Sequence, residues 1–223
     1  KVKAIAKGVR KIRSHMAGSL EPFILAELQL YEGKTFYTVT GASIIEDFPD
    51  IHNDLQKMAN VFYVGELVDK FEKEKQKSER IFELLVQTLG TIEEGQKHHL
   101  GDGSSAMALR IFEIKLLKES GFWGDLYACL HCKEKLRQEE NCWDGQEGGI
   151  ICGRCQQLYH HGRLISNDLI KFFRLTERDG WDLIGRLNTA IELRKEAELI
   201  LSGYIKDVLE SDLKSEHFLR SFP

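Results

Sequence analysis

"ACLHCKEKLRQEENCWDGQEGGIICGRC", residues 128–155, holds all five cysteines of the 223-residue chain, four of them in two C-x-x-C pairs. Nineteen residues separate Cys132 from Cys152, which matches the spacing of a four-cysteine zinc site. Each two-residue gap lets a tight turn aim two sulfurs at one point, and two such knuckles complete a tetrahedron. Cys129, Cys132, Cys152 and Cys155 are therefore the expected metal ligands. Gly149, Ile150, Ile151 and Gly153 read as a short extended arm leading into a flexible knuckle, with Gly153 expected to supply a positive φ that turns backbone N–H groups toward the thiolates. Cys142, beside Trp143, is the spare thiol, and His131, His160 and His161 are weaker substitutes for a missing ligand.

Other uses of these cysteines fit less well. A disulfide framework needs an oxidising compartment, yet the chain carries no secretory signal and an odd number of cysteines. A thioredoxin-like pair needs a C-x-x-C at a strand-to-helix junction in a βαβ pattern, which this sequence lacks. Four thiolates around one divalent ion remain net negative, and Lys133, Lys135, Arg137 and Arg154 stand close enough in sequence to balance that charge or to touch nucleic acid. With four protein ligands there is no open position for water, so the expected metal is structural.

Outward from this segment, a composition of 42% hydrophobic and 30% charged residues is that of a globular chain with a buried core, in one large or two modest domains. No apolar run approaches the roughly 20 residues of a membrane helix. The charge is unevenly spread. Residues 1–20 contain Lys1, Lys3, Lys7, Arg10, Lys11 and Arg13 and no acid, a sum of +6 against −4 for the whole chain, which leaves −10 for the other 203 residues. A basic amino-terminal surface on an acidic body points to a polyanion bound at one end, with a solvated basic strand as the plain alternative.

Residues 1–45 alternate with period two. In "KVKAIAKGV", Lys1, Lys3 and Lys7 share one face and Val2, Ala4 and Ala6 the other, as in a half-buried strand. "FILAELQLY" places Ile24, Ala26, Leu28 and Leu30 on one side, and after "EGK" the β-branched stretch "TFYTVTGA" completes an antiparallel hairpin. The chain starts at Lys1 inside an apparent strand, so its natural beginning is expected to lie outside this sequence. From Ile51 the spacing becomes helical: 51–71, weakened by Gly65, then 78–89 with Gly90 as a stop, then a helix capped by Ser105 and ending before "SGF". Beyond the cysteines an all-helical remainder is expected, with Leu193, Ala197, Ile200, Leu201, Tyr204, Val208 and Leu209 as a bundle-core stripe.

No catalytic arrangement stands out. There is no G-x-x-x-x-G-K-[ST], H-E-x-x-H or G-x-S-x-G motif, and no G-x-G-x-x-G leading into a helix. "GDGSS" at 101–105 follows no strand and lacks the lysine of a phosphate loop, so it reads as a loop with a helix cap, and His98 and His99 as loop histidines.

The order of these parts resembles the RecO family of bacterial recombination mediators. The likeness rests on the cationic strand with "AKGVRKIRS", on "LEPFILAELQLYEGKTFYTVTGASI", on "ALRIFEIKLLKESGFWGDLYACLHC" and on "GGIICGRC", and it weakens over the last helices. It implies an α+β chain: an amino-terminal OB-fold β-barrel over 1–48, its first strand absent, then a helical domain over 49–223 with a zinc-binding insertion at about 127–158. It implies no enzyme but a cytoplasmic, nucleoid-associated DNA repair protein that binds ssDNA and dsDNA and anneals complementary strands. With RecR it would displace single-strand-binding protein so that RecA loads. Lys1, Lys3, Lys7, Arg10, Lys11 and Arg13 match the family's basic OB surface and are the expected DNA contacts. Tyr31 and Tyr37 are the aromatics expected to be exposed beside them. The acidic carboxy-terminal tail of single-strand-binding protein is expected on the helical domain, where Lys171, Arg174 and Arg178 supply cations. Some family members lack the zinc cysteines, so the resemblance makes the metal dispensable to the shared activity. A scaffold that binds only proteins, stabilised by zinc, is the alternative.

Overall fold

A computed structural model describes residues 1–9, 16–95, 104–184 and 190–220, in two compact units. The first comprises Lys1–Glu94 together with the end of the chain from Phe218, and the second runs from Gly95 to His217, so that the last helix, Lys214–Arg220, is divided between them. Among the described residues, no helix is long and apolar enough to cross a membrane.

The first unit opens with a three-stranded sheet in the order β1–β3–β2, formed by β1 (Ala4–Ile5), β2 (Leu25–Glu32) and β3 (Tyr37–Glu46). β1 lies parallel to β3 in the register Ala4↔Tyr37, and β2 is antiparallel to β3, from Leu25↔Glu46 to Glu32↔Tyr37. The turn between β2 and β3 needs Gly33, because a Cβ there would sit 2.6 Å from the Phe36 carbonyl oxygen. The sheet is open, and the described strands form no closed barrel. The alternation read in residues 1–9 does not give a half-buried strand: Val2 is 50% and Ile5 46% exposed, and β1 is only two residues long. Leu28 and Leu30 are also exposed, and register irregularities at Leu25/Ala26 and Gln29/Leu30 break the expected single apolar face, leaving Val39 as the buried residue of β3.

Helices α1 (Pro49–Asn53), α2 (Leu55–Phe71) and α3 (Glu79–Glu94) complete the unit. Asp54 caps α2 by accepting from the Gln56 and Lys57 amides. Gly65 interrupts nothing. Its missing Cβ leaves room for the Phe23 ring, whose Cε1 would otherwise be 3.0 Å away, and Phe23 meets Phe62 edge-on at 4.9 Å. Nor does Gly90 stop α3. A glycine costs about 1 kcal/mol in a helix interior, less than the roughly 1.5–3 kcal/mol gained by burying an isoleucine, and Ile92, two residues before the end, is wholly buried. The extra turn carries Glu93, whose carboxylate accepts the Asp50 and Ile51 amides at the start of α1, while Lys57 Nζ donates to the Glu93 carbonyl at 2.7 Å.

The second unit is built on α4 (Ser104–Glu119), buried without a break from Met107 to Ile114. After it come β4 (Asn141–Asp144), β5 (Gly149–Ile151), α5 (Gly153–Tyr159), β6 (Arg163–Ile165), α6 (Asn167–Asp179), a 3₁₀ turn (Gly180–Leu183), α7 (Ile191–Leu209) and α8 (Lys214–Arg220). α4, α6 and α7 pack on one another, with Ala197, Ile200, Leu201 and Tyr204 buried on the expected stripe of α7. Beyond the cysteines the chain is not all helical. β6 pairs antiparallel with β4, giving a second sheet in the order β5–β4–β6. Three residues are too few to show a period, so this pairing is set by the partner strand and not by local sequence.

Candidate metal centre

The two cysteine pairs are held by different local structures. Cys129 and Cys132 flank a turn in which Lys133 takes a left-handed conformation at φ +60, the Lys133 amide donating to the Cys129 carbonyl and the Cys129 amide to the Glu134 carbonyl. Cys152 is the N-cap of α5, and Cys155 lies in its first turn. The turns meet because the Leu130 amide donates to the Ile150 carbonyl at 2.9 Å, and Gly149 permits that approach, since a Cβ there would strike Leu130 at 2.8 Å. Gly153 has no positive φ, contrary to the sequence expectation. It is needed for space, because its Cβ would sit 2.7 Å from the Glu140 carbonyl oxygen.

All four sulfurs lie within 4.8 Å of one another, with Cys132 and Cys152 3.9 Å apart. A tetrahedral ion with metal–sulfur bonds of about 2.3 Å needs sulfurs about 3.8 Å apart, so the set fits such an ion. Burial raises the Cys129 thiol, but the amides of Cys152, Cys132 and His131 outweigh it and bring the thiol down to about 6. Burial and then the neighbouring sulfurs push Cys155 up to about 12. One proton leaves easily and the last is held by its neighbours, a conflict that a bound cation removes. Arg154 stands beside this charge: its guanidinium pairs with Glu134 at 3.0 Å, and Glu134 and then the Cys132 sulfur raise its pKa. Cys142 is no ligand. It is 3% exposed in the middle strand, opposite Ile151 and Leu164, and burial raises its thiol.

The segment is fastened to the helices of its unit. Trp143 packs on Trp123, Phe173 and Tyr204 at centroid distances of 5.2, 5.7 and 5.5 Å, and the Tyr204 hydroxyl donates to the Phe122 carbonyl. Arg174 donates through Nε and a terminal nitrogen to the Leu126 carbonyl and covers the Tyr127 ring at 4.6 Å. Arg174 is thus engaged in structure, while Lys171 and Arg178 pair with Asp168 and Asp179.

The histidines do not stand in for cysteines. His131 and His161 cluster with Asp144, a residue the sequence reading passed over. Asp144 is 2% exposed. Burial raises its carboxyl, but the Glu147 and Gln146 amides and His161 outweigh it and hold the group below its usual range.

In the first unit, the expected DNA contacts fare unequally. Lys1 pairs with Asp69 at 2.7 Å and Lys3 with Glu74 at 2.5 Å, whereas Lys7 is exposed and has no ion pair among the described residues. Arg10, Lys11 and Arg13 lie outside the described residues. Of the aromatics, Tyr31 is 68% and Phe36 44% exposed, while Tyr37, expected to be exposed, is half-buried beside β1.

Residues 1–48 match the family model described as recombination protein O N terminal, and residues 52–217 the one described as recombination protein O C terminal. A DNA repair protein RecO from Dehalococcoides mccartyi is 33% identical over 220 residues, covering 99% of this chain and 84% of the relative. Those of Desulforamulus reducens and Roseiflexus sp. are 30% and 29% identical, covering 98% and 97% of this chain and 82% and 74% of the relatives. With both its strands and its helices matched, the chain belongs to the RecO family of DNA repair and recombination proteins.

Proposed function

We propose that this protein is a DNA-binding recombination mediator and that its four-cysteine cluster holds a structural zinc ion. In this reading it binds ssDNA and dsDNA, anneals complementary strands and, with RecR, helps RecA load onto DNA covered by single-strand-binding protein, whose acidic tail docks on the helical domain. Residues 1–48 act as the DNA-binding OB-type domain and 49–223 as the helical domain, a division that follows the junction of the two family matches at residues 48 and 52. No bond is made or broken, so the protein's work is binding and positioning.

The observation that carries the DNA reading is the acid-free stretch 1–20 with its charge of +6, next to exposed Tyr31 and Phe36. Cations that follow a phosphate backbone and rings that stack on bases are what single-strand binding requires. Register supports the pairing of the two: Ile5 lies beside Thr38 and Thr38 beside Tyr31, and Lys3 precedes Ile5 by two residues. The zinc reading rests on four sulfurs that all lie within 4.8 Å of one another. Cys129, Cys132, Cys152 and Cys155 would hold the ion, which supplies a crosslink and no open coordination position.

The ion pairs of Lys1 and Lys3 favour a second reading, a zinc-stabilised scaffold that binds proteins without touching DNA. Exposed pairs are worth only about 0–1 kcal/mol, so phosphates can displace Asp69 and Glu74. Measuring ssDNA affinity against salt separates the readings. Mediator binding gives a slope near −0.7 per phosphate neutralised. Changing Lys3, Lys7, Arg10 and Lys11 together to Ala lowers that slope by two or more, and Glu74→Gln, which frees Lys3, tightens binding. A quadruple variant that binds like the parent removes residues 1–13 as the DNA surface.

A further inference from the structure

We infer that His131, Asp144 and His161 form a second metal site, distinct from the four cysteines, that takes a borderline divalent cation of the zinc and cobalt class and leaves a coordination position open to solvent. His161 Nε2 lies 3.4 Å from His131 Nε2 and 3.0 Å from Asp144 Oδ2, and the three donor atoms all fall within 4.8 Å of one another. Nitrogen and oxygen ligands about 2.0–2.2 Å from a tetrahedral ion stand about 3.3–3.6 Å apart. Two imidazoles and one carboxylate are the donor set that such ions accept while keeping a further position open.

Each donor is also oriented from behind. Asp144 Oδ1 accepts the Gln146 and Glu147 amides at 2.8 and 3.1 Å, which leaves Oδ2 for the cluster. His161 Nδ1 faces the Tyr159 carbonyl at 3.4 Å, so a proton placed on Nδ1 has an acceptor and Nε2 is then free to present a lone pair to the cluster. The His131 ring is stacked on Tyr159 at 4.4 Å and 28°.

Nε2 of His161 carries at most one proton, yet it meets a carboxylate oxygen and a second imidazole nitrogen together. With the proton on Nε2 the ring donates to Asp144 alone, whereas a cation at the centre engages all three donors at once. Asp144 is buried, whereas His131 is exposed and the His161 side chain is 40% exposed, so an ion has a path in and its open position faces water. Such an ion would join the first cysteine turn to β4 and to the residues that follow α5.

The test is cobalt(II) titration of the purified full-length protein, backed by zinc content after gel filtration in excess zinc. Two equivalents are expected. One develops the thiolate-to-metal charge-transfer absorption of a sulfur site, and the other adds none. His131→Ala and His161→Ala each bind one equivalent and keep the full charge-transfer absorption, and both alter exposed rings whose loss leaves the core intact. Cys152→Ser weakens the charge-transfer absorption and keeps the second equivalent, so failure of the sulfur site is read separately from failure of this one. A parent that binds a single equivalent, or histidine variants that keep two, would overturn the inference and leave the trio as a histidine hydrogen-bonded to an aspartate.

Discussion

Cys152→Ser tests the metal centre at the point where packing and ligation can be separated. Cys152 is 8% exposed and is the N-cap of α5, where its side chain makes no capping hydrogen bond. Serine is nearly its size and is among the preferred N-cap residues, so the exchange leaves α5 its start and removes only a thiolate. Structural zinc sites are worth about 10–16 kcal/mol at neutral pH. Shared equally among four sulfurs, that is about 2.5–4 kcal/mol per ligand, roughly a hundred- to a thousandfold in affinity. Competition with a chromophoric chelator at neutral pH reads this loss directly. Ile150 and Ile151, both 0% exposed beside the cluster, should then become open to proteolysis, while ssDNA affinity stays close to that of the parent. A variant with a full complement of zinc at parental affinity would falsify the ligand assignment.

Three further outcomes follow from the same packing. Trp143→Ala, which empties the space between Trp123, Phe173 and Tyr204, should cost about 3–5 kcal/mol in denaturant unfolding; a loss under 1 kcal/mol would mean that the ring fastens nothing. Gly153→Ala, with its Cβ 2.7 Å from the Glu140 carbonyl, should destabilise by about 1–3 kcal/mol, whereas Gly90→Ala, facing open space inside α3, should stabilise by about 0.5–1 kcal/mol; equal effects would contradict the geometry. Burial, and then the charges of Glu147 and Asp144, push the Tyr204 phenol up to about 12, above the roughly 10 of an unfolded tyrosine. The folded state keeps a proton that the unfolded state loses, so stability should fall between those pH values, and Tyr204→Phe should lack that part of the fall.

The four-cysteine cluster was legible because the spacing of such residues is a local property: two C-x-x-C pairs name the sulfurs that the fold brings together. The hairpin was legible too, since "FILAELQLY" and "TFYTVTGA" carry strong β preferences on either side of a turn. What escaped was set by distant partners. α3 runs past Gly90 because Ile92 finds a core and Glu93 finds the amides of α1. β6 exists because β4 offers it an edge. His131, Asp144 and His161 are separated by 12 and 16 residues and converge only once the cysteine turn, β4 and α5 are all in place. Likewise the acids that hold Lys1 and Lys3 lie on and just past α2, where no strand pattern could foretell them.

The bonds that close the cysteine segment all lie within residues 124–165, from the Gly124 amide on the Gly148 carbonyl to the pairing of β6 with β4. Its loops are short and its closure entropy modest. A ribosome adds about 5–20 residues per second, so some seconds pass between release of Ile165 and completion of α7 at Leu209. Were the proposed ion bound in that interval, the segment would close before α7 is complete and present Trp143 as the surface on which α6 and α7 settle. Metal supply during translation, more than after it, would then set how much of the second unit reaches its native form.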